Sequence, residues 1–246
     1  MASSARFHCP DVSASGQTLH LVGEEHHHLR NVLRLKPGDR LSLFDGRGKS
    51  FQAALVSTGA RESVLLVGAQ ELGRPESPLA IHLAPALAKG EKLDLMIQKG
   101  TELGVFAFHP VASLRADLKL EPGRAEARCE RWRRVALEAC KQSGRTRVPE
   151  IFPPAGLEEF LRRDLPQDRT VLDPSGEILG EPAAREEAGD CLIAIGPEGG
   201  WDPEELARMR AHGFKVLRLG PRTLRAETAA IAAACVWQLR NGDLNL

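Results

Sequence analysis

Leu192-Ile193-Ala194-Ile195-Gly196-Pro197-Glu198-Gly199-Gly200-Trp201-Asp202-Pro203-Glu204-Glu205 reads as a buried strand, a glycine-rich turn and the first turn of a helix. Four consecutive apolar residues suit a strand covered on both faces. Asp202 is a natural helix N-cap, and Pro203 fits the first helical position, where a missing N–H costs nothing. In parallel α/β sheets ligands bind at the carboxyl ends of strands, so Gly196–Gly200 is a candidate binding loop, with Glu198 adding a carboxylate beside it. Read alone, the same glycines could equally do no more than make a tight turn.

Working outward, the pattern repeats about twenty residues later. Val216–Leu219 ends in Gly220-Pro221, then Arg222-Thr223-Leu224-Arg225 leads into a helix beginning near Glu227. That helix, Glu227–Leu239, carries small residues on nearly every face and can be packed closely by other backbone. Strands and helices alternate through the preceding region: Leu79–Ala86 extended, Glu91–Leu103 helical, Val105–Val111 extended and Arg124–Gln142 helical. They continue with a strand near Ile151, helix Leu157–Arg163, strand Thr170–Leu172, strand Cys191–Ile195 and helix Pro203–Ala211. This alternation predicts a mostly parallel sheet covered by helices. Upstream of the proline-rich Gly73–Pro78, short apolar runs separated by Pro37-Gly38-Asp39 and Asp45–Gly48 predict a small β unit. One helix is expected within it over Glu24–Leu35, with Leu29, Val32 and Leu33 as its core face. The expected domains are therefore 1–72 and 79–246, joined by the linker 73–78.

Composition narrows the class. The chain has 246 residues, 42% hydrophobic and 27% charged, as expected of a folded globular protein. Its longest apolar run, Ala229–Trp237, is half of the ~18 residues that begin to suggest a membrane span, so no membrane association is expected. Met1–Val12 holds one arginine and no apolar segment, so no secretory signal is expected. The five cysteines are scattered without Cys-x-x-Cys spacing, which points to a reduced, cytoplasmic protein and no metal site. His26-His27-His28 cannot all face one ion from a regular element. Motifs for a phosphate loop, an ordinary dinucleotide fold and a serine-hydrolase elbow are absent.

Lys plus Arg equals Asp plus Glu, at 33 each, yet Arg124–Arg147 carries eight basic residues against three acidic. Cys129, Trp132, Ala136, Ala139 and Cys140 recur at helical spacing as its buried stripe. An ordinary solvated face would account for this charge. The alternative is a phosphate-binding surface, with Arg131, Arg134, Lys141, Arg145 and Arg147 as contacts. Arg30 and Arg34, one helical turn apart in the first domain, are further phosphate candidates. With no tyrosine and 4% aromatic residues, RNA binding would rest on charge and shape more than base stacking.

Five stretches together resemble the ribosomal RNA small-subunit methyltransferase E (RsmE) family of the SPOUT class. They are His28–Arg34 with Pro37-Gly38-Asp39; Gln98-Lys99-Gly100-Thr101-Glu102-Leu103-Gly104-Val105; Gln142–Pro149; Ile195–Trp201; and Leu219–Ala229. They occur in the family's order and span nearly the whole chain. The sequence departs at Gly100, where a small helix-former is expected, and at Ala226, where a hydroxyl residue is more usual. The resemblance implies a PUA-like β-barrel followed by a trefoil-knotted mostly parallel sheet with helices on both faces. It implies S-adenosylmethionine as cofactor, held by Leu172, by Gly196, Pro197, Glu198, Gly199 and Gly200, and by Leu219, Gly220, Pro221, Leu224 and Arg225.

The implied reaction is N3-methylation of a uridine in 16S ribosomal RNA, and the implied state is a homodimer. Neutral uracil carries a proton on N3, so the site needs a base or a group that stabilises charge on the adjacent carbonyls. Arg225 is the candidate for charge stabilisation. Glu198 and Glu227 are candidates to accept the proton or to orient that arginine, although capping and loop bracing would explain both carboxylates as well. Other readings are a knotted ribose 2′-oxygen methyltransferase, a non-catalytic RNA-binding assembly factor, and a nucleotide-binding protein without RNA.

Overall fold

The computed structural model describes residues 5–116, 123–180 and 189–244. It divides into two compact units, Met1–Glu76 with Cys140–Val148, and Ser77–Ala139 with Pro149–Leu246.

The first unit contains β1 (Arg6–His8), β2 (Thr18–Val22), α1 (Gly23–His27), β3 (Arg40–Phe44), β4 (Ser50–Thr58) and β5 (Glu62–Glu71). Its strands pair in the order β1-β3-β4-β5-β2 among the described residues, antiparallel except for β1 beside β3. Phe7, Leu21, Leu43, Phe51, Leu55 and Leu65, drawn from all five strands, meet in one core, so the sheet curls around a single interior. The expected helix over Glu24–Leu35 is corrected here. After α1 the chain widens into a π-helical turn at His28–Val32, where the Leu33 amide donates to the His28 carbonyl at 3.0 Å. The 3.6-residue period is lost there. Leu29 consequently remains fully buried, whereas Val32 and Leu33 are exposed at 61% and 41%. Arg34 closes the turn with φ of 54°.

Cys140–Val148 is held in this unit by hydrogen bonds and buried ion pairs. Gly48 N donates to the Thr146 carbonyl at 3.1 Å and Val148 N to the Gly46 carbonyl at 3.0 Å. Lys141 pairs with Glu25, and Arg145 Nη2 lies 2.5 Å from Glu76 Oε2.

The second unit is built from β6 (Ala80–Pro85), α2 (Lys92–Glu102), β7 (Ala107–Phe108), β8 (Val111–Ala112), α3 (Arg124–Ser143), β9 (Glu150–Ile151) and β10 (Ala155–Gly156). It continues with α4 (Leu157–Leu161), β11 (Asp168–Ile178), β12 (Asp190–Ile195), α5 (Pro203–Ala211), β13 (Phe214–Arg218) and α6 (Ala226–Asn241). Six strands run parallel in the order β13-β11-β12-β6-β7-β9, with β10 and β8 as a separate pair, among the described residues. Leu192 and Ala194 of β12 pack with Phe160 of α4 and with Leu206 and Met209 of α5. Ile193 and Ile195, pointing the other way by strand alternation, are equally buried. α6 returns from the edge strand β13 to lie on β6 and β12 and against α2, so helices cover both faces.

The small side chains of α6 permit that return. Ala226, Ala230, Ala233 and Ala234 are buried, and its far end is fixed by Gln238, which donates to the Leu103 carbonyl at 2.9 Å and accepts from Ser77 Oγ at 2.7 Å. Gly100 has a related explanation. A Cβ there would stand 2.8 Å from the buried Phe108 ring and 3.2 Å from Val105, so the helix-former expected at this position would not fit.

His82 of β6, half-buried, meets the buried His109 that follows β7. His82 Nδ1 and His109 Nε2 are 3.0 Å apart, one donating and one accepting, and His109 stacks on Phe152 with ring centroids 4.2 Å apart. Burial, then the nearby His82 and Arg163, pushes the His109 pKa down to about 3. The folded protein thus leaves His109 neutral where an unfolded chain binds a proton near pH 6.5. Its stabilising contribution is present above that pH and is lost as pH falls towards 3, by up to about 1.4 kcal/mol per pH unit. His109→Phe keeps the ring stacking and is expected to flatten the acid limb of stability between about pH 6.5 and 4.5, measured by urea unfolding. An unchanged limb would assign acid sensitivity to other groups.

Candidate active site

Three parallel strands deliver their carboxyl ends to one place. Leu172 of β11 is in register with Ile195 of β12 and with Leu217 of β13. The loops leaving these strands enclose a cavity of about 820 Å³. Asp202 caps α5, accepting from the Glu204 amide at 3.0 Å, while Glu205 accepts from the Asp202 amide at 3.1 Å. Arg115 braces the same loop, 3.1 Å from Asp202 and within 3.4 Å of the Gly199 carbonyl. The capping expected of Asp202 and Pro203 therefore holds the glycine loop open at the strand end.

Leu172, Gly196, Pro197, Glu198, Gly199, Gly200, Leu219, Leu224 and Arg225 all line the cavity. Gly220 and Pro221 shape the second loop from outside the lining. Glu227 stands apart as well, lining a neighbouring cavity of about 450 Å³ with Gln98 and Val135. Lys92 borders both cavities and pairs with Glu198. Glu198 therefore meets a lysine at the mouth of the cavity. Arg225 occupies the N-cap position of α6 with extended backbone, and its side chain makes no capping bond.

Sequence reasoning missed Lys92, Asp173, Trp201 and Arg218 as cavity-lining residues. Trp201 Nε1 and Arg218 Nε are buried donors without a hydrogen-bond partner in this structure. Such atoms are costly to leave unpaired, and a ligand rich in acceptors would satisfy them. Trp201 was legible as the end of the Ile195–Trp201 stretch. Lys92 lies about a hundred residues from its partner, and no local pattern joins them.

An RNA methyltransferase domain family matches residues 75–238, and an RNA methyltransferase PUA domain family matches residues 21–67. The ribosomal RNA small subunit methyltransferase E of Bacillus subtilis is 34% identical over 224 residues, covering 88% of each chain. The chain belongs to the ribosomal RNA small subunit methyltransferase E family. The solved family member from Neisseria gonorrhoeae, bound to S-adenosylmethionine, is 34% identical with a TM-score of 0.90, covering 98% of this chain and all of that one. A Legionella pneumophila protein solved with the same cofactor is 34% identical with a TM-score of 0.93, covering 99% of this chain and all of that one. The expected SPOUT-like α/β fold with a small PUA-like first domain thus agrees with the methyltransferase E family.

The basic residues singled out by charge and spacing as phosphate contacts have different surroundings. Arg131 is exposed and donates to Asp94 at 2.8 Å, and Arg134 and Arg147 are exposed. In the first unit Arg30 is exposed, donating to the Gly59 carbonyl at 2.6 Å, and Arg34 is exposed beyond the π turn. The helical-turn pairing expected for Arg30 and Arg34 is lost with that turn. Lys141 and Arg145 are corrected more strongly. Both side chains are 9% exposed and ion-paired with Glu25 and Glu76, so they serve packing in the first unit rather than a solvent-facing row. The three adjacent histidines diverge, His26 bonding Ser63, His27 bonding Asn31 and His28 meeting the Phe7 ring. Among the described residues no His, Cys, Asp or Glu cluster could hold a metal ion, and no helix is long and apolar enough to cross a membrane.

Proposed function

We propose that this chain transfers the methyl group of S-adenosylmethionine to N3 of a uridine in 16S ribosomal RNA. The observation that carries this reading is the cavity at the three aligned strand ends, in a chain 34% identical to two proteins solved with S-adenosylmethionine. S-adenosylmethionine suits the cavity, since the carboxylate of Asp173 can meet its cationic groups and the glycine loop leaves backbone N–H and C=O groups open to its polar atoms. When bound it supplies an electrophilic methyl on sulfur. The residues assigned to it are Leu172, Gly196–Gly200, Leu219, Leu224 and Arg225, with Gly220 and Pro221 shaping the loop.

Arg225, lining the larger cavity, adds positive charge on the methyl-donor side of the reacting uracil as N3 loses its proton. Its place at the start of α6 adds the positive end of a sixteen-residue helix to the guanidinium charge. Glu198 acts through Lys92, fixing the ammonium at the border of the two cavities. Nucleoside analysis after incubating purified protein, S-adenosylmethionine and unmodified small-subunit RNA or subunits is expected to yield N3-methyluridine. A 2′-O-methyl product would favour the ribose-methylating rival, and no product with either substrate would sink the assignment.

The domain reading is 1–72 for RNA, 73–78 as linker and 79–246 for methyl transfer, with Cys140–Val148 of that last stretch packing in the first unit, and the protein acting as a homodimer in the reducing cytoplasm. Five free cysteines, four of them buried, support the last point. Arg30, Arg34, Arg131, Arg134 and Arg147 are assigned to RNA phosphates. Arg131→Gln with Arg134→Gln is expected to reduce the salt slope of RNA binding by about one to two. Arg145→Gln should instead lower stability, because it leaves Glu76 unpaired. An unchanged slope in the double variant would make that helix face ordinary solvated surface.

A further inference from the structure

The smaller cavity is the unexplained feature of the second unit. It adjoins the strand-end cavity at Lys92 and lies between α2, α3 and α6. Among its charged groups, Lys92 from α2 is committed to Glu198, and Asp94 from α2 is paired with Arg131 of α3. Glu91 stands exposed at its edge. Glu227 of α6 is different: its Oε2 is buried and has no hydrogen-bond partner. Because the Glu227 side chain lines the cavity, its carboxylate is placed to take a donor from a ligand seated there.

Resting on the methyl-transfer reading, we propose that this cavity receives the flipped target uracil and that Glu227 accepts its N3 proton. The imide edge of uracil presents acceptor, donor, acceptor. Glu227 supplies the central acceptor, while the ammonium of Lys92, with N–H bonds beyond the one given to Glu198, and the amide of Gln98 supply donors for the two carbonyls. Leu95 and Val135 give apolar walls for the ring faces. Cytosine lacks the N3–H and would set its N3 lone pair against the carboxylate, so the same set rejects it. The two cavities adjoin at Lys92, which brings a base in the smaller one next to a methyl donor in the larger.

In the reaction the N3–C bond forms as the C–S bond breaks. The N3–H bond breaks first, its proton passing to the Glu227 carboxylate and later to water and its electron pair staying on N3 to form the new bond, while the C–S pair remains on sulfur, which loses its positive charge.

Two variants test this against wild type on small-subunit RNA, with cofactor affinity followed by calorimetry. Glu227→Gln is expected to keep cofactor affinity within about threefold and to lose roughly 100-fold or more in single-turnover rate near pH 7. That loss should shrink as pH rises, because solvent base then removes the N3 proton. Leu95→Trp, at a half-exposed helix position, should fill the cavity, raise KM for RNA and leave cofactor binding intact. Wild-type rates in both variants would overturn the base pocket, and an E227Q deficit that stays constant with pH would overturn the proton-acceptor role. Failure of the wild type itself to methylate would overturn the underlying reading, which separates the two failures.

Discussion

Arg225→Ala is expected to lower single-turnover methylation by roughly 100- to 1000-fold, the scale seen when one preorganised donor to a developing oxyanion is removed. Cofactor affinity should change by less than about tenfold, because the cavity retains its other walls and its two buried donors. The argument rests on position. Arg225 lines the cavity from the N-cap position of α6, at the positive end of that helix. Arg225→Lys should recover part of the rate by restoring charge without the planar fork. Loss of cofactor binding with turnover intact at saturation would move Arg225 from charge stabilisation to cofactor grip, and full activity would remove it from the mechanism.

Gly176→Ala is expected to disrupt both the fold and the site. β11 pairs Leu172 with Leu217, leaves the ladder, and pairs again at Glu177 with the same Leu217. Asp173 and Pro174, within that excursion, line the cavity. A Cβ on Gly176 would stand 2.7 Å from the backbone N and carbonyl C of Leu217 and from the Val216 carbonyl oxygen. No flexible side chain can move aside there, so β11 and β13 must separate. Overpacking of this kind costs about 1–3 kcal/mol, equivalent to a fall of roughly 2–4 °C in Tm per kcal/mol for a chain of this size. Because the displaced strands carry two of the three loops, cofactor affinity should fall by at least about tenfold in calorimetry. Wild-type Tm and affinity together would show that the excursion yields without consequence.

The elements most legible in sequence were those whose signals are local. Pro203–Ala211 begins and ends as expected because its cap and first-position proline are adjacent in the chain. β12 was legible from its uninterrupted apolar run. The Glu24–Leu35 reading failed because periodicity assumes one helix type, whereas the chain widens after His27 and turns Val32 and Leu33 outward. Lys141 and Arg145 misled for a related reason. Their spacing and charge suit a solvated face, but Glu25 and Glu76, remote in sequence, cover them.

By itself, the sequence determined the strand–helix alternation, the two strand-end loops, the small-residue character of the last helix and the resemblance to one methyltransferase family, all carried by neighbouring residues. Only the tertiary structure decided that Leu172, Ile195 and Leu217 lie in one row, that Lys92 engages Glu198, and that Glu227 faces a different cavity from Arg225. Those facts depend on strand register and on the return of α6 across the sheet. Both are set by the packing of segments far apart in the chain, where charge pairing and burial are fixed by three-dimensional neighbours rather than by spacing along it.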